Sequence, residues 1–344
     1  MDTPWSPASE LLTVERLSKA FPLRRGFFQR TAGHVQAVDR VSLAIRRGQT
    51  LGLVGESGCG KSTLARMILK LLPSDGGRIL FDGTDISGWS EADMKPLRRR
   101  IQIVFQDPYG SLNPRMSVGQ IVGEGLRTTG VRDRAEAAAQ TERLLALVGL
   151  SPRAVDRYPH EFSGGQRQRI GIARALSVEP ALVICDEPVS ALDVSIQAQI
   201  INLLKDLQDR LGLSYLFITH DLNVVGYLCH RVAVMYRGRI VEEAPSEELF
   251  ENPLHPYTHA LLAAVPDIDA PKGFEIEAAL KDLPEERALP QPGCRFRPRC
   301  PQSEERCRSY EEGWVRAGED HRVRCWKAPT SIQAKAAERN ILEP

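Results

Sequence analysis

The run GESGCGKS, residues 55–62, constrains this chain more than any other stretch, because it fits the pattern G-x-x-x-x-G-K-[ST] in full. A short apolar run precedes it and a helix-like run follows it, which is the context that the pattern requires. The glycines let backbone N–H groups point at phosphate oxygens, and the following helix adds its positive N-terminal end. Lys61 is predicted to reach the β and γ phosphates of a nucleotide, and Ser62 to bind Mg²⁺. This context disfavours a chance match.

Strand-like and helix-like runs alternate through the first two thirds of the chain. The runs LLTVERLSKAF and AVDRVSLAI alternate like antiparallel strands, whereas QTLGLVGES, IQIVFQD, ALVICDEP, LSYLFITHD and RVAVMYRGRIVE are predicted as further, mostly buried strands. Helix-like runs such as KSTLARMILKLL lie between them, so an α/β fold is predicted. Residues 107–165 contain no convincing buried strand and are predicted to be a helical insertion.

The composition shifts toward proline and charge after residue 252, and LPEERALPQPGC resembles a linker. We therefore expect a first domain at residues 1–252 and a second at residues 253–330. The last residues, 331–344, are expected to form a short polar helix or a disordered tail.

Two adjacent carboxylates, Asp186 and Glu187, end the apolar strand ALVICDEP. At the C-terminal edge of a strand in an α/β fold, such groups face the ligand crevice. Asp186 is suited to anchor Mg²⁺, directly or through water, and Glu187 to polarise a water that attacks the γ phosphate. The alternative is an acid pair that caps a helix.

A second anion-binding helix start is predicted in FSGGQRQRIGIARAL, where Ser163, Gly164 and Gly165 precede a helix. One nucleotide cannot easily use both this start and the loop at residues 55–62 of the same subunit. The economical solution is a dimer in which each subunit closes on the nucleotide that the other holds.

The runs GESGCGKST, FSGGQRQR, VICDEPVSALD and FITHD, in this order, resemble the ATP-binding subunit of an ABC transporter. The resemblance implies a P-loop NTPase fold with a RecA-like core, an antiparallel β subdomain and a helical subdomain. It also implies a small cysteine-bearing domain at the C-terminal end, and ATP and Mg²⁺ as ligands.

The resemblance also assigns roles residue by residue. Gln106 matches the glutamine that touches Mg²⁺ and the attacking water, His220 the histidine that hydrogen-bonds the γ phosphate, and Asp193 a loop at the dimer interface. The implied ATP contacts are Phe21, which would stack on adenine, and Gly55, Glu56, Ser57, Gly58, Cys59, Gly60, Lys61, Ser62, Thr63 and Gln106. The implied Mg²⁺ ligands are Ser62, Gln106 and Asp186, and the residues that act on the partner's ATP are Ser163, Gly164, Gly165 and Gln166. A buried structural role is the alternative for His220.

FQDPYGSLNPRMSVGQ, RYPHEFSGGQRQR and NPLHPYTHALLAAVP resemble the dipeptide and oligopeptide branch of ABC importers. Members of this branch pair two different ATPases beneath two membrane permeases, fed by an external binding protein. The pattern here is more similar to the second, F-type, ATPase. The resemblance implies ATP-driven peptide import, although relatives built alike carry nickel, peptide antibiotics or oligosaccharides. ABC ATPases that do not transport are disfavoured, because the chain has one phosphate loop and a short insertion.

Four cysteines cluster near the end: Cys294, Cys300, Cys307 and Cys325. Zinc modules prefer C-x₂₋₄-C pairs, which are absent here, whereas iron–sulfur clusters accept wider spacings. The resemblance implies a [4Fe–4S] cluster, and zinc and plain thiols are the alternatives.

The formal net charge is only +1, so the chain lacks the overall positive charge of a typical nucleic-acid binder, and no nucleic acid partner is expected. The N-terminal run has no signal-peptide pattern, and no run reaches the length of a membrane span. We therefore expect the protein on the cytoplasmic face of the inner membrane, held there by its permease partners.

Overall fold

The computed structural model describes residues 10–25, 30–264, 292–311 and 313–329 of the chain. The predicted tail at residues 331–344 and most of the linker-like run lie outside these residues. The strands in chain order are β1 (Glu10–Arg25), β2 (Arg30–Arg46), β3 (Thr50–Val54), β4 (Gly76–Phe81), β5 (Thr84–Asp85), β6 (Ile101–Val104), β7 (Leu182–Asp186), β8 (Ser214–Thr219), β9 (Arg231–Tyr236), β10 (Arg239–Pro245), β11 (Val315–Arg316) and β12 (Arg322–Val323).

The α-helices flank these strands. In chain order they are α1 (Lys61–Ile68), α2 (Glu91–Arg100), α3 (Val118–Thr128), α4 (Arg134–Leu147), α5 (Gly164–Leu176), α6 (Val194–Leu211), α7 (Leu222–Leu228), α8 (Ser246–Glu251) and α9 (Pro256–Ala263). The alternation confirms the predicted α/β fold.

Within the described residues the strands form two sheets. The smaller has the order β2-β1-β4-β5 and is antiparallel. The larger has the order β11-β12-β10-β9-β3-β8-β7-β6, and its strands from β9 to β6 are parallel. Every residue of β3, β7 and β8 is buried, which explains why these strands are continuously apolar in the sequence. Their C-terminal ends meet at one edge, where a ligand crevice is expected.

The run RVAVMYRGRIVE forms two strands instead of one. β9 and β10 are antiparallel neighbours joined at Arg237 and Gly238, whose φ angles are 42° and 84°. Two successive positive φ angles are typical of the tight turn that suits the twist of a hairpin. Both strands are almost continuously buried and show no alternation whose phase could change at the turn, so patterning alone does not reveal the reversal.

The helical insertion contains α3 and α4, and no strand is present in its described residues 107–165. Ser117 caps α3 by accepting a hydrogen bond from the Gln120 backbone, and the Gln120 side chain accepts one from the Ser117 backbone. Such reciprocal caps satisfy backbone donors that a helix start leaves unpaired. The insertion is followed along the chain by α5, whose start is one of the predicted anion-binding sites.

The described C-terminal residues pack on the larger sheet. β12 pairs with β10, and Phe296, which is 1% exposed, belongs to the same apolar core as the sheet. The carboxylate of Glu243 on β10 forms buried ion pairs with Arg231 and Arg322. The domain boundary at residue 253 stays a prediction. Across the described ranges, none of the helices combines the length and apolar character that a bilayer crossing needs.

Candidate nucleotide-binding site

The phosphate loop connects β3 to α1 and runs between two neighbouring carbonyl groups. A Cβ atom on Gly55 would lie 2.1 Å from the Met235 carbonyl oxygen, and one on Gly60 would lie 2.1 Å from that of Ala37. Their φ angles are 152° and 111°, a region that other residues rarely adopt. The spacing of these glycines therefore reflects both the loop conformation and its close contact with the surrounding chain.

Lys61 begins α1, and its ammonium group lies inside the loop. The side chain is 4% exposed, and Nζ donates to the carbonyl oxygens of Gly55 at 2.7 Å and Glu56 at 3.0 Å. Its nearest carboxylate oxygen is Glu187 Oε1, at 4.0 Å. A buried ammonium on a helix N-terminus is an environment that favours phosphate.

Ser62 and Asp186 meet where the predicted Mg²⁺ site would lie. The Ser62 hydroxyl donates to Asp186 Oδ1 at 2.9 Å, although 124 residues separate the two in sequence. Asp186 is 8% exposed, and burial raises the pKa of its carboxyl group, an effect that the hydrogen bond from Ser62 opposes. A hydroxyl and a carboxylate are oxygen ligands of the kind that Mg²⁺ prefers, so the two residues fit this ion.

Glu187 follows Asp186 in a left-handed backbone conformation, with a φ angle of 48°. Its backbone N–H donates to the Ile218 carbonyl at 2.9 Å, which holds it beside β8. The Glu187 carboxylate lies 3.1 Å from Gln106 Nε2 and 3.4 Å from His220 Nδ1. The ends of β6, β7 and β8 thus bring together three side chains that the sequence assigns to γ-phosphate chemistry. Strain at such a position is a common feature of functional sites.

Ser190 is a member of this group that the sequence analysis missed. Its hydroxyl accepts from Gln106 Nε2 at 3.3 Å and donates to the Glu187 carbonyl at 3.1 Å. It therefore orients the amide of Gln106 toward the carboxylate. Its place in VSALD, three residues after Glu187, was the available signal, since a serine there can bond back to the preceding turn.

The remaining loop residues differ in exposure. Ser57 and Gly58 are exposed at the tip, and Thr63 is partly buried on α1. Cys59 is 7% exposed, and burial raises the pKa of its thiol. These placements leave the tip open to a ligand while the base of the loop is packed.

Phe21 lies on β1, away from the described contacts of the phosphate loop. The residue is 38% exposed, its ring centroid lies 5.8 Å from the Lys19 ammonium, and its strand partner is Val35. An aromatic face that is free on one side is available for stacking.

The predicted partner-facing residues have no described hydrogen bond to the phosphate loop. Ser163 caps α5 by accepting from the Gln166 backbone at 3.4 Å, and Gln166 accepts from the Ser163 backbone at 3.1 Å. Gly165 faces Ile196, since a Cβ atom there would lie 2.4 Å from Cγ2 of that side chain. Asp193 is exposed at the start of α6, beside Val194, which is 81% exposed. Ser163, Gln166 and Asp193 are exposed, whereas Gly165 is buried against Ile196.

The four clustered cysteines line one cavity, together with Phe296, Trp326 and other residues. Trp326 Nε1 donates to Cys307 Sγ at 3.4 Å, and the Cys294 N–H donates to the Cys307 carbonyl at 2.8 Å. Burial raises the pKa of the Cys300 thiol, as do the nearby sulfurs of Cys307 and Cys325. In the ranges that the structure describes, no three histidine, cysteine, aspartate or glutamate side chains are close enough to hold a single metal ion.

Two sequence families match this chain. The family described as ABC transporter matches residues 38–190, which include the phosphate loop and Asp186–Glu187, and the family described as oligopeptide/dipeptide transporter, C-terminal region, matches residues 241–307. A probable peptide ABC transporter ATP-binding protein of Sinorhizobium fredii is 48% identical over 331 residues, which are 96% of this chain and 92% of that protein. The chain belongs to the ABC transporter ATP-binding proteins.

This ABC ATP-binding protein has further relatives over nearly its whole length. The oligopeptide transport ATP-binding protein AppF of Bacillus subtilis is 50% identical over 317 residues, which are 92% of this chain and 96% of that protein. Among solved structures, cbiO1 of Clostridium perfringens, part of the ABC transporter complex cbiONQ, is 32% identical with a TM-score of 0.61, covering 71% of this chain and 92% of that one. The ATP-binding cassette MJ0796, described as a dimer bound to ADP and Pi, is 27% identical with the same TM-score of 0.61 over 68% of this chain and 98% of that one. The family and the ABC ATPase fold inferred from the sequence are thus confirmed, whereas the small cysteine-bearing C-terminal domain stays a prediction.

Proposed function

We propose that this ABC ATP-binding protein hydrolyses ATP to power the import of dipeptides or oligopeptides through a membrane permease. The observation that carries the proposal is the contact of Glu187 with Gln106 and His220, one residue from the Ser62–Asp186 pair. Peptide as the cargo class is supported by the match to the oligopeptide/dipeptide transporter C-terminal region and by relatives whose names include peptide transport.

The chemistry follows from these contacts. Lys61 and the loop N–H groups would hold the phosphates, and Ser62, Asp186 and Gln106 would hold Mg²⁺, which supplies charge neutralisation of the phosphates when bound. Glu187 is placed to accept a proton from an attacking water, and Gln106 to orient that water. His220 is 59% exposed, so it can reach a γ phosphate without displacing packed residues.

We further propose a dimer with a second, related ATPase, in which Ser163–Gln166 and Asp193 act at the partner's nucleotide. The exposure of Ser163 and Gln166 at the start of α5 supports this arrangement, since the described hydrogen bonds of these two residues do not include the phosphate loop. ATP would then favour the closed dimer because it gains contacts from both subunits only there. Two permease subunits, an external binding protein and the cytoplasmic face of the inner membrane complete the proposal, with this chain in the F-type position.

The assembled transporter in lipid vesicles tests the proposal. Internal ATP should drive uptake of a labelled peptide in the presence of the binding protein, and a Lys61→Ala variant of this chain should abolish uptake. A complex that hydrolyses ATP but moves nickel or an oligosaccharide instead of peptide would refute the cargo class. A complex without ATP hydrolysis would refute the activity itself.

We also propose that Cys294, Cys300, Cys307 and Cys325 hold a [4Fe–4S] cluster in the C-terminal region, residues 253–330. The four cysteines line one cavity, which supports a ligand that they share. The N–H of Trp326 toward Cys307 is the type of sulfur hydrogen bond that surrounds such clusters. The cluster would supply four iron–thiolate bonds that fix a segment with little core of its own.

Anaerobic purification of the full chain tests this second proposal. The expected result is about four irons and four sulfides per chain, with visible absorption, and a loss of both in Cys300→Ser. Cys229→Ala is the matched control, because Cys229 is buried in the main core. Zinc in place of iron, or metal-free protein, would refute the cluster.

A further inference from the structure

The segment Cys294–Cys300 contacts the phosphate loop directly. Arg299 donates two hydrogen bonds of 2.8 Å to the two carboxylate oxygens of Glu56, the second residue of the loop. The Arg299 side chain is 16% exposed and that of Glu56 is 39% exposed. The hydrogen bond to Glu56 raises the pKa of Arg299. This bidentate geometry fixes orientation as well as distance, unlike a flexible surface ion pair.

The backbone of Glu56 is held by α9. Its N–H donates to the Tyr257 hydroxyl at 2.9 Å. Tyr257 is fully buried, and its ring centroid lies 4.6 Å from that of Tyr236 and 5.5 Å from that of Phe296. Phe296 itself lies inside the Cys294–Cys300 segment. Both the side chain and the backbone of one loop residue are therefore held by C-terminal residues.

The segment also contacts the strand that supports the other end of the loop. Arg295 donates to the Asp39 carboxylate and to the Arg237 carbonyl. Burial would raise the pKa of Asp39, but the guanidinium groups of Arg295 and Arg239 outweigh it and lower the pKa. Asp39 lies two residues from Ala37, whose carbonyl contacts Gly60. One short segment thus contacts Glu56 of the phosphate loop through Arg299 and, through Arg295, the strand that passes close to Gly60.

We propose that Arg299, acting through Glu56, is a positioning residue for ATP, and that the Cys294–Cys300 segment couples the cysteine-bearing region to the phosphate loop. The inference rests on the proposed ATPase function. Glu56 places a negative charge next to a site for a polyphosphate anion. Arg299 neutralises that charge and holds the loop, so its removal leaves a carboxylate that repels the phosphates.

Nucleotide binding to the full chain tests this proposal. The dissociation constant of a fluorescent ATP analogue with Mg²⁺ would be measured for the wild type, Arg299→Gln, Glu56→Gln and the double variant. Arg299→Gln should raise the dissociation constant at least ~5-fold, within the usual range of coupling between sites. Arg299→Lys should have an intermediate value, because it keeps the charge but not the bidentate geometry. Arg308→Gln is the matched control, since its exposed ion pair with Glu305 lies within the same region.

The double variant separates positioning from general destabilisation. If Arg299 acts through Glu56, then Arg299→Gln should add little once Glu56 is glutamine, so the two effects should not be additive. Additive effects, or a dissociation constant for Arg299→Gln equal to that of Arg308→Gln, would overturn the proposal. A wild-type chain that binds no ATP would instead contradict the proposed function. In the assembled transporter, Arg299→Gln should raise KM for ATP while kcat at saturating ATP stays within about twofold.

Coupling between two sites is reciprocal, which gives a second readout independent of activity. ATP should slow amide hydrogen exchange in residues 294–300 of the wild type and have no effect there in Arg299→Gln. Equal protection by ATP in both proteins would contradict a path through Arg299. Thermal unfolding of each variant checks that the fold is retained, and Arg299→Lys replaces Arg299→Gln if the latter unfolds.

Discussion

Replacing Glu187 by glutamine removes the negative charge of the predicted catalytic base and keeps its shape. In the wild type, Gln106 Nε2 lies 3.1 Å from the Glu187 carboxylate. The amide oxygen of the variant can still accept this hydrogen bond, so the local geometry should persist. The loss of a general base typically slows a reaction about 10²–10⁴-fold. At ~1.36 kcal/mol per factor of ten, the activation barrier should rise by about 2.7–5.4 kcal/mol.

ATP binding should survive the same change. Glu187 Oε1 lies 4.0 Å from Lys61 Nζ, and a pair at this distance is worth about 1 kcal/mol in bulk water and ~4 kcal/mol at an effective dielectric constant of 20. Removing the carboxylate frees the ammonium for phosphate and removes a repulsive charge. The dissociation constant for ATP should therefore stay equal or fall, in contrast to the hydrolysis rate.

The assay combines steady-state phosphate release by the assembled transporter with ATP retention on the purified complex. Glu142→Gln, an exposed position on α4, is the control and should hydrolyse ATP at the wild-type rate. A near-normal hydrolysis rate in Glu187→Gln would refute its assignment as the base. Loss of ATP binding together with hydrolysis would refute the reasoning from the geometry, because the negative charge of Glu187 would then be needed for the folded structure of the site.

Three other predictions concern Mg²⁺, acid stability and packing. Ser62→Ala should raise the Mg²⁺ concentration for half-maximal hydrolysis at least ~10-fold. Burial would raise the pKa of Glu242, but hydrogen bonds from His321, Thr258 and two backbone N–H groups lower it below its ordinary value of 4.5. The unfolded chain therefore binds more protons, and the free energy of unfolding, measured with urea, should fall as the pH drops below 4.5. Glu242→Gln should weaken this pH dependence. Gly52→Ala should lower the free energy of unfolding by about 1–3 kcal/mol, because the new Cβ would lie 2.9 Å from Cys229 Sγ. A second substitution, Cys229→Ala, should recover part of that loss.

Much of the fold and of the nucleotide site could be predicted from contiguous patterns. The phosphate loop, the acid pair at the end of β7 and the helix start at Ser163 are each encoded within fewer than ten residues, because their chemistry depends on backbone geometry between near neighbours. The helical insertion followed from the lack of buried strand patterns. The β9–β10 reversal was missed, because almost continuously buried residues lie on both sides of Arg237–Gly238 and show no alternation that would mark the turn.

By itself, the sequence determined which residue types are available for phosphate chemistry and in what order they occur. Only the tertiary structure decided which of them meet: the order of β6, β7 and β8 brings Gln106, Glu187 and His220 together. It also decided that Arg299 meets Glu56 across 243 residues of sequence. Spacing constrains only residues that share a turn, a helix or a strand. Contacts between distant segments depend on strand order and on which apolar surfaces pack together, as Phe296 packs against both Tyr236 and Tyr257.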